Sequence, residues 1–320
     1  LPINHQNAFP LIANPRTQDG GAPVIDVNPI TQIARLAMWD DGSDKVVQIN
    51  HPNIVQIAAD ANLDGQADDG FRKMFHYADV MEVHPPGEIL DPLVKESRPA
   101  DNPGPRIHDW LRLLNLGYRI PGVVNTDAHW NFHGSGWLRN YVRSSADDPG
   151  QANLQEVCDA LSQGQVVMTN GPFLEVEAEA GEHRAGPGDD LAAGGERVTL
   201  NVRVECANWL DVNRVQVLVN GRPASTLNFT RRTHRGMFGD GPIKFDEQIA
   251  VPLEADAHVI VVAAGEGSQL GKIYGIDRGA AMPVAVSNPI FVDIDGGGFQ
   301  PNGDTLDSPL LDERAAANSE

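Results

Sequence analysis

Histidines and carboxylates recur in the first half of the chain at one kind of place, just past a short apolar run. His51 follows Lys45-Val46-Val47-Gln48-Ile49; Glu82 and His84 close the run from Ala78 to Val83; Asp127 and His129 follow Gly122-Val123-Val124. His5, in Asn4-His5-Gln6-Asn7, adds a fourth position at the start. Imidazole and carboxylate together suit Zn, Mn or Fe(II), whereas carboxylate and carbonyl oxygens alone suit Mg or Ca. A lone histidine at a strand end is ordinarily a capping or core residue, and Asp-x-His by itself is common. Recurrence at successive strand ends is what points to a shared ion, because the ends of parallel strands converge on one mouth. An ion held there would acidify bound water and polarise a group beside it. Arg139, in Leu138-Arg139-Asn140-Tyr141, is a candidate anchor for an anionic substrate group, the alternative being a surface arginine paired with an acid. His133, four residues after His129, is a candidate proton donor or a support for a ligand, the alternative being an ordinary loop residue.

Positioning these residues requires an α/β arrangement. The apolar runs, with Gln165 to Met168 as a fourth, read as strands. Helices fall between them. Asn28-Pro29 is a cap and first-turn proline opening a helix to about Met38. Ile107, Trp110, Leu111 and Leu114 form one helical face closed by Gly117, and Leu154, Val157, Cys158 and Leu161 another ending near Gly164. This alternation predicts βα units with a parallel sheet over residues 1–175. After that the helical period disappears. Val198 to Val204, Val215 to Val219 with its Asn220-Gly221 turn, Ile243 to Val251, His258 to Ala263 and Pro283 to Val292 alternate, which predicts an antiparallel β-sandwich over 176–300. Residues 301–320 are expected to form a flexible tail.

Acidic residues outnumber basic ones by 44 to 24, a formal charge of −20 that repels phosphate backbones and anionic lipid, so nucleic acid is excluded as a partner. No run approaches the roughly 20 apolar residues that cross a bilayer, and no membrane association is expected. The acidity suits a periplasmic or secreted protein. The chain starts at Leu1 without a visible signal peptide, and a truncation or processing point is expected there. Cys158 and Cys206 are too few for a disulfide framework or thiolate site and are expected to be buried thiols. Two stretches offer Ca²⁺ as an alternative metal. Asp60 to Gly65 begins like a calcium loop but has Phe71 where the last acidic ligand belongs, which favours a ligandless loop. Asp293 to Gly298, with Asp304 helping, could hold Ca²⁺ or be a glycine-rich turn.

The order of these motifs resembles the PHP (polymerase and histidinol phosphatase) superfamily, and within it the CehA/McbA-like metallohydrolases. The resembling residues are Asn4 to Pro10, Asn50-His51-Pro52, Met81-Glu82-Val83-His84, Thr126-Asp127-Ala128-His129, Met168 to Pro172 and Asn288 to Asp293. The resemblance implies a distorted (β/α)7 barrel, of which residues 1–175 would be the C-terminal portion, followed by the sandwich. It also implies two or three divalent transition-metal ions (Zn, Mn or Fe), and hydrolysis of a small-molecule phosphate ester or related ester or carbamate by a metal-bound hydroxide. By resemblance His5, His51, Asp127 and His129 are metal ligands, and either His84 or Glu82 is a further one, His84 ranking first. His129, His133 and Arg139 would then be the catalytic residues. The family's initial His-x-His and its bridging glutamate are not found, and are expected to precede Leu1. The competing reading is a non-catalytic binding or structural protein on a degenerate barrel.

Overall fold

Short apolar strands with both faces covered build the first sheet. The structure, a computed structural model, describes residues 5–11, 26–93, 105–128 and 135–308. Strands β1 (Gln6–Phe9), β2 (Val46–Ile49), β3 (Val80–Glu82) and β4 (Gly122–Val123) lie in that order. β2, β3 and β4 are parallel, in register through Ile49, Met81 and Gly122. β1 runs antiparallel to β2, with Gln6 opposite Ile49. His5 precedes β1 and therefore stands at the end where the parallel strands finish. Helix α1 (Pro29–Gly42) opens on Asn28, whose side chain accepts from the Ile30 and Thr31 amides, and its helical geometry breaks at Trp39, next to the expected end. α2 (Ile54–Ala58) and α3 (Arg106–Asn115) follow.

The fold is mixed α/β, and among the described residues no closed barrel forms. The fourth predicted strand explains part of this. After β5 (Arg139–Val142) and α4 (Leu154–Ser162), β6 (Val166–Thr169) pairs antiparallel with β5 and with a distant strand, not with β4. A short apolar run satisfies a buried strand in either kind of sheet, so its pattern does not choose between them.

Two further sheets follow. β7 (Phe173–Ala180), β8 (His183–Ala185), β10 (Val198–Glu205) and β13 (Ile243–Val251) form one antiparallel sheet in the order β13-β10-β7-β8, with β9 (Asp190–Ala192) outside it. β11 (Arg214–Val219), β12 (Arg222–Thr230), β14 (Ala257–Ala264) and β15 (Val284–Ser287) join β6 and β5 in the order β12-β11-β14-β15-β6-β5. β16 (Ile290–Asp293) pairs with β14 and β9. Burial alternates along β10, and Leu200, Val202 and Val204 share one core with Val215, Val217 and Val262 of the other sheet. The β11–β12 turn has positive φ at Asn220 and Gly221 (50° and 75°), as a tight hairpin requires. Cys158 and Cys206 are both buried and free. No helix among the described residues is long and apolar enough to cross a membrane.

The outer edge of β4 is closed by side chains in place of a strand. Asn288 accepts from the Gly122 amide (2.8 Å) and donates to the Gly122 carbonyl (2.9 Å), with a longer donation to the Val166 carbonyl (3.2 Å). Asn140 does the same for Val124, accepting at 3.0 Å and donating at 2.9 Å. An amide side chain offers the donor and acceptor of a peptide group, so two asparagines complete the edge ladder and join the sheets. Asn288→Ala would leave both polar groups of Gly122 buried and unpaired, so it is expected to lower the unfolding free energy by about 2–4 kcal/mol. Urea unfolding measures this; a loss below roughly 0.5 kcal/mol would show that water replaces the amide.

Helix α3 is buried on every side from Ile107 to Asn115. Arg112 and Asn115 on this helix face the second half of the chain. Arg112 pairs with Asp109 (2.5 Å) and donates through Nε to the Thr305 carbonyl (3.0 Å); Asn115 donates to the carbonyls of Asn220 (3.2 Å) and Asp304 (2.9 Å). Residues 301–308, expected to be loose, are docked by these bonds, by the Arg222–Asp304 ion pair and by fully buried Leu306. Residues 309–320 of the expected tail lie outside the described residues.

His258 on β14 belongs to the same seam, its Nε2 2.8 Å from Asn115 Oδ1. Burial lowers its pKa from 6.5 to about 3. Above pH 6.5 the folded and unfolded forms are both neutral at this position. As pH falls from about 6.5 to about 3 the unfolded chain binds a proton that the folded chain refuses, so stability falls by up to about 1.4 kcal/mol per pH unit. In urea unfolding between about pH 7.5 and 4.5, His258→Gln is expected to flatten the acid-side loss by about one proton. Identical slopes in both proteins would refute the assignment.

Candidate functional site

Of the predicted residues, His51, Glu82, His84 and Asp127 lie at or just past the ends of β2, β3 and β4. The ladder between β1 and β2 continues one step past Ile49, through the Asn50 amide and the His5 carbonyl (2.9 Å). His5 Nδ1 and His51 Nε2 consequently lie 2.8 Å apart, with the rings edge to face at 4.7 Å between centroids. Two nitrogens bound to one tetrahedral ion at about 2.0–2.1 Å stand about 3.3 Å apart. At 2.8 Å the two rings are hydrogen-bonded, one nitrogen donating to the other; sharing a cation would require them to separate by roughly half an ångström and give up that proton. His51 has a left-handed backbone (φ 28°), and its amide donates to the carboxylate of nearly fully buried Glu82. Glu82 thereby holds the turn that aims His51.

His84 sits two residues beyond the Glu82–Val123 register pair, in a corner of its own. It is half-buried, its ring meets the Trp137 ring edge to face at 5.7 Å, and its Nδ1 is buried without a partner. Burial, then the charges of Arg106 and Arg278, lower its pKa to about 4 against the opposite pull of Asp127. At neutral pH it is a neutral imidazole with a lone pair to offer. Asp127 is exposed and also left-handed (φ 49°), two residues past Asn125. The geometry thus separates the Glu82/His84 alternatives: Glu82 is engaged with the His51 amide, while His84 faces tryptophan and arginine. Among the described residues, no three of His5, His51, Glu82, His84 and Asp127 bring ligand atoms within 4.8 Å of one another. His129 and His133 lie outside the described residues.

Arg139 lies on β5 and donates to the carbonyls of Gly136 (3.1 Å) and Gly171 (3.4 Å), with Nε buried and unpartnered. Its charge is not among those acting on His84. Arg106 and Arg278 are, and sequence reasoning missed both. Arg106 Nη1 donates to the His84 carbonyl (3.2 Å). Arg278, on the short helix α5 (Gly275–Gly279) between β14 and β15, lies 4.8 Å from the centroid of the Trp137 ring. Its Nε is buried without a partner, at a cost of about 1–3 kcal/mol. Two backbone bonds close the base of this loop, Leu270 N to Ala281 O and Gly271 N to Gly279 O, both 2.9 Å. A Cβ on Gly279 would fall 2.6 Å from the Gly271 carbonyl oxygen, so only glycine fits. No local signal marks Arg278, since its neighbours at the site are distant in sequence.

In the stretches offered for Ca²⁺, the part given to Asp304 is what differs from expectation. Asp60 accepts from the amides of Asp64 (3.3 Å) and Gly65 (2.9 Å), a self-bonded loop. Asp304 does not join Asp293 and Asp295, because Arg222 holds it. Asp256 takes that place: ligand atoms of Asp256, Asp293 and Asp295 lie within 4.8 Å of one another. Asp256 accepts from Ile294 and Gln300 (2.8 Å each), and Asp293 from Gly296 (2.7 Å) and Gly298 (2.9 Å). These bonds account for the cluster as a stabilised turn.

Comparison with family models, with curated proteins and with solved structures finds no match for the chain.

Proposed function

We propose that this chain is a metal-dependent hydrolase of the PHP superfamily, of the CehA/McbA-like kind, acting on phosphate esters or related ester or carbamate bonds of a small molecule. The first sheet is then part of a distorted (β/α)7 barrel, and the later sheets are its β-sandwich. The observation that carries this reading is the His5–His51 nitrogen pair, 2.8 Å apart at the end of the parallel strands from which Glu82 and Asp127 also come. His5, His51 and Asp127 would hold transition metal, with His84 and His129 as further ligands; two or three Zn, Mn or Fe ions are expected. Such an ion supplies Lewis acidity and acidifies water. The protein's own part is positional: Glu82 fixes the His51 turn, and burial keeps His84 unprotonated at neutral pH. A periplasmic or secreted location fits the acidic surface.

The test is to strip the protein with a chelator, reload it with Zn²⁺ or Mn²⁺, and assay aryl phosphate mono- and diesters, an aryl acetate and an aryl carbamate. Turnover of at least one that requires reloading is the expected result. Metal-loaded protein that turns over none of them would favour the non-catalytic alternative.

A further inference from the structure

We infer that Arg278 and Arg106 form a seat for an anionic group of the substrate, so that the later sheets complete the site built on the first. The inference rests on the hydrolase reading for the word substrate, but the anion seat stands on its own geometry.

The chain carries 20 more acidic than basic residues, and many of its arginines are paired. Arg112, Arg184, Arg203, Arg214, Arg222 and Arg231 each meet at least one carboxylate within 3.0 Å or less. Arg106 and Arg278 make no ion pair among the described residues, a condition they share with Arg139, Arg197, Arg232 and Arg235, and what sets them apart is their common neighbour. Glu88 feels the charge of Arg106, and His84 that of both arginines. The two guanidinium groups neighbour the same residue, one directly and one through a ring: Arg106 bonds the His84 carbonyl, and Arg278 lies on the Trp137 ring that meets His84.

The second observation is a set of donors without acceptors. Arg278 Nε, Trp137 Nε1 and Asn125 Nδ2 are all buried and unpartnered. They come from three separate segments, and Asn125 lies beside His84 by strand register. Buried donors are ordinarily satisfied, and several unsatisfied ones at a single place call for an acceptor. Oxygens of a phosphate or carboxylate are such an acceptor, and guanidinium groups bind both through paired, charge-assisted bonds. The proposed substrates therefore narrow to esters that carry an anionic group.

The test uses the full chain reloaded with metal and titrates inorganic phosphate and, separately, acetate by calorimetry. Saturable binding of at least one is expected, and the preferred anion identifies the chemistry. Arg278→Gln is expected to weaken it by about tenfold or more, Arg278→Lys by less, and the exposed control Arg184→Gln not at all. Gly279→Ala, which displaces the loop while keeping the charge, is expected to weaken it too. If Arg278 only clamps Trp137, Arg278→Gln will lower the melting temperature and leave anion affinity unchanged. That result, or wild-type protein that binds neither anion, overturns the inference. Anion binding that survives in a protein unable to hold metal would sink the hydrolase reading and leave the seat in place.

Discussion

His51→Ala is expected to weaken Zn²⁺ binding by at least about 100-fold, measured by competition with a chromogenic chelator. Substituting a residue that merely supports a ligand typically costs 10–100-fold, and loss of a ligand costs at least as much. His51 is half of the nitrogen pair, and the remaining His5 is exposed at the start of an edge strand. The left-handed backbone of His51 complicates alanine, which tolerates that conformation poorly. His51→Asn separates the two effects, because asparagine accepts left-handed geometry. It should recover stability and still lose the metal. Glu82→Gln keeps an acceptor for the His51 amide and is expected to cost only about tenfold. Unchanged Zn²⁺ affinity in both His51 variants would remove His51 from the site.

Trp110→Ala is expected to lower the unfolding free energy by about 4 kcal/mol, a large part of the roughly 5–15 kcal/mol of a typical domain. Trp110 is fully buried on α3, and its indole nitrogen donates to the Ile120 carbonyl (2.8 Å) just before β4. Its ring fills the space over Gly122, where an added Cβ would lie 3.0 Å from the ring. The tryptophan thus supports the strand that leads to Asp127. Alanine leaves a cavity and an unpaired carbonyl together. Trp110→Phe fills most of the volume but drops the hydrogen bond, so a loss of about 1–3 kcal/mol is expected. Urea unfolding reads both. A cost below roughly 1 kcal/mol for the alanine variant would show that α3 is not what holds β4 in place.

Local features were legible in the residues. The Asn28 cap, the strands after Asp44 and Asp79, and the Asn220-Gly221 turn appear close to where they were expected. Each is decided by bonds and sterics within a few residues. The placing of His5 opposite Asn50 and beside His51 was not legible in the residues, since it depends on β1 running antiparallel to β2. The partner of β6 was not legible, because a run of four apolar residues suits either sheet. Nor was the closure of β4 by Asn140 and Asn288, the second of them 166 positions from Gly122. The polar face of α3 reads as solvent-facing until the chain from Asn220 and Thr305 covers it.

What the sequence alone determined is the alternation of elements, the change to antiparallel strands and the histidines and carboxylates that stand at the ends of the parallel strands. The tertiary structure decided which of those groups meet. It set His51 against His5 with Glu82 behind, turned His84 towards Trp137, and brought Arg278 from the far half of the chain. The physical reason is that residue type and period follow from local energetics, whereas a side chain's neighbours at a strand end are set by segments from tens to well over a hundred residues away.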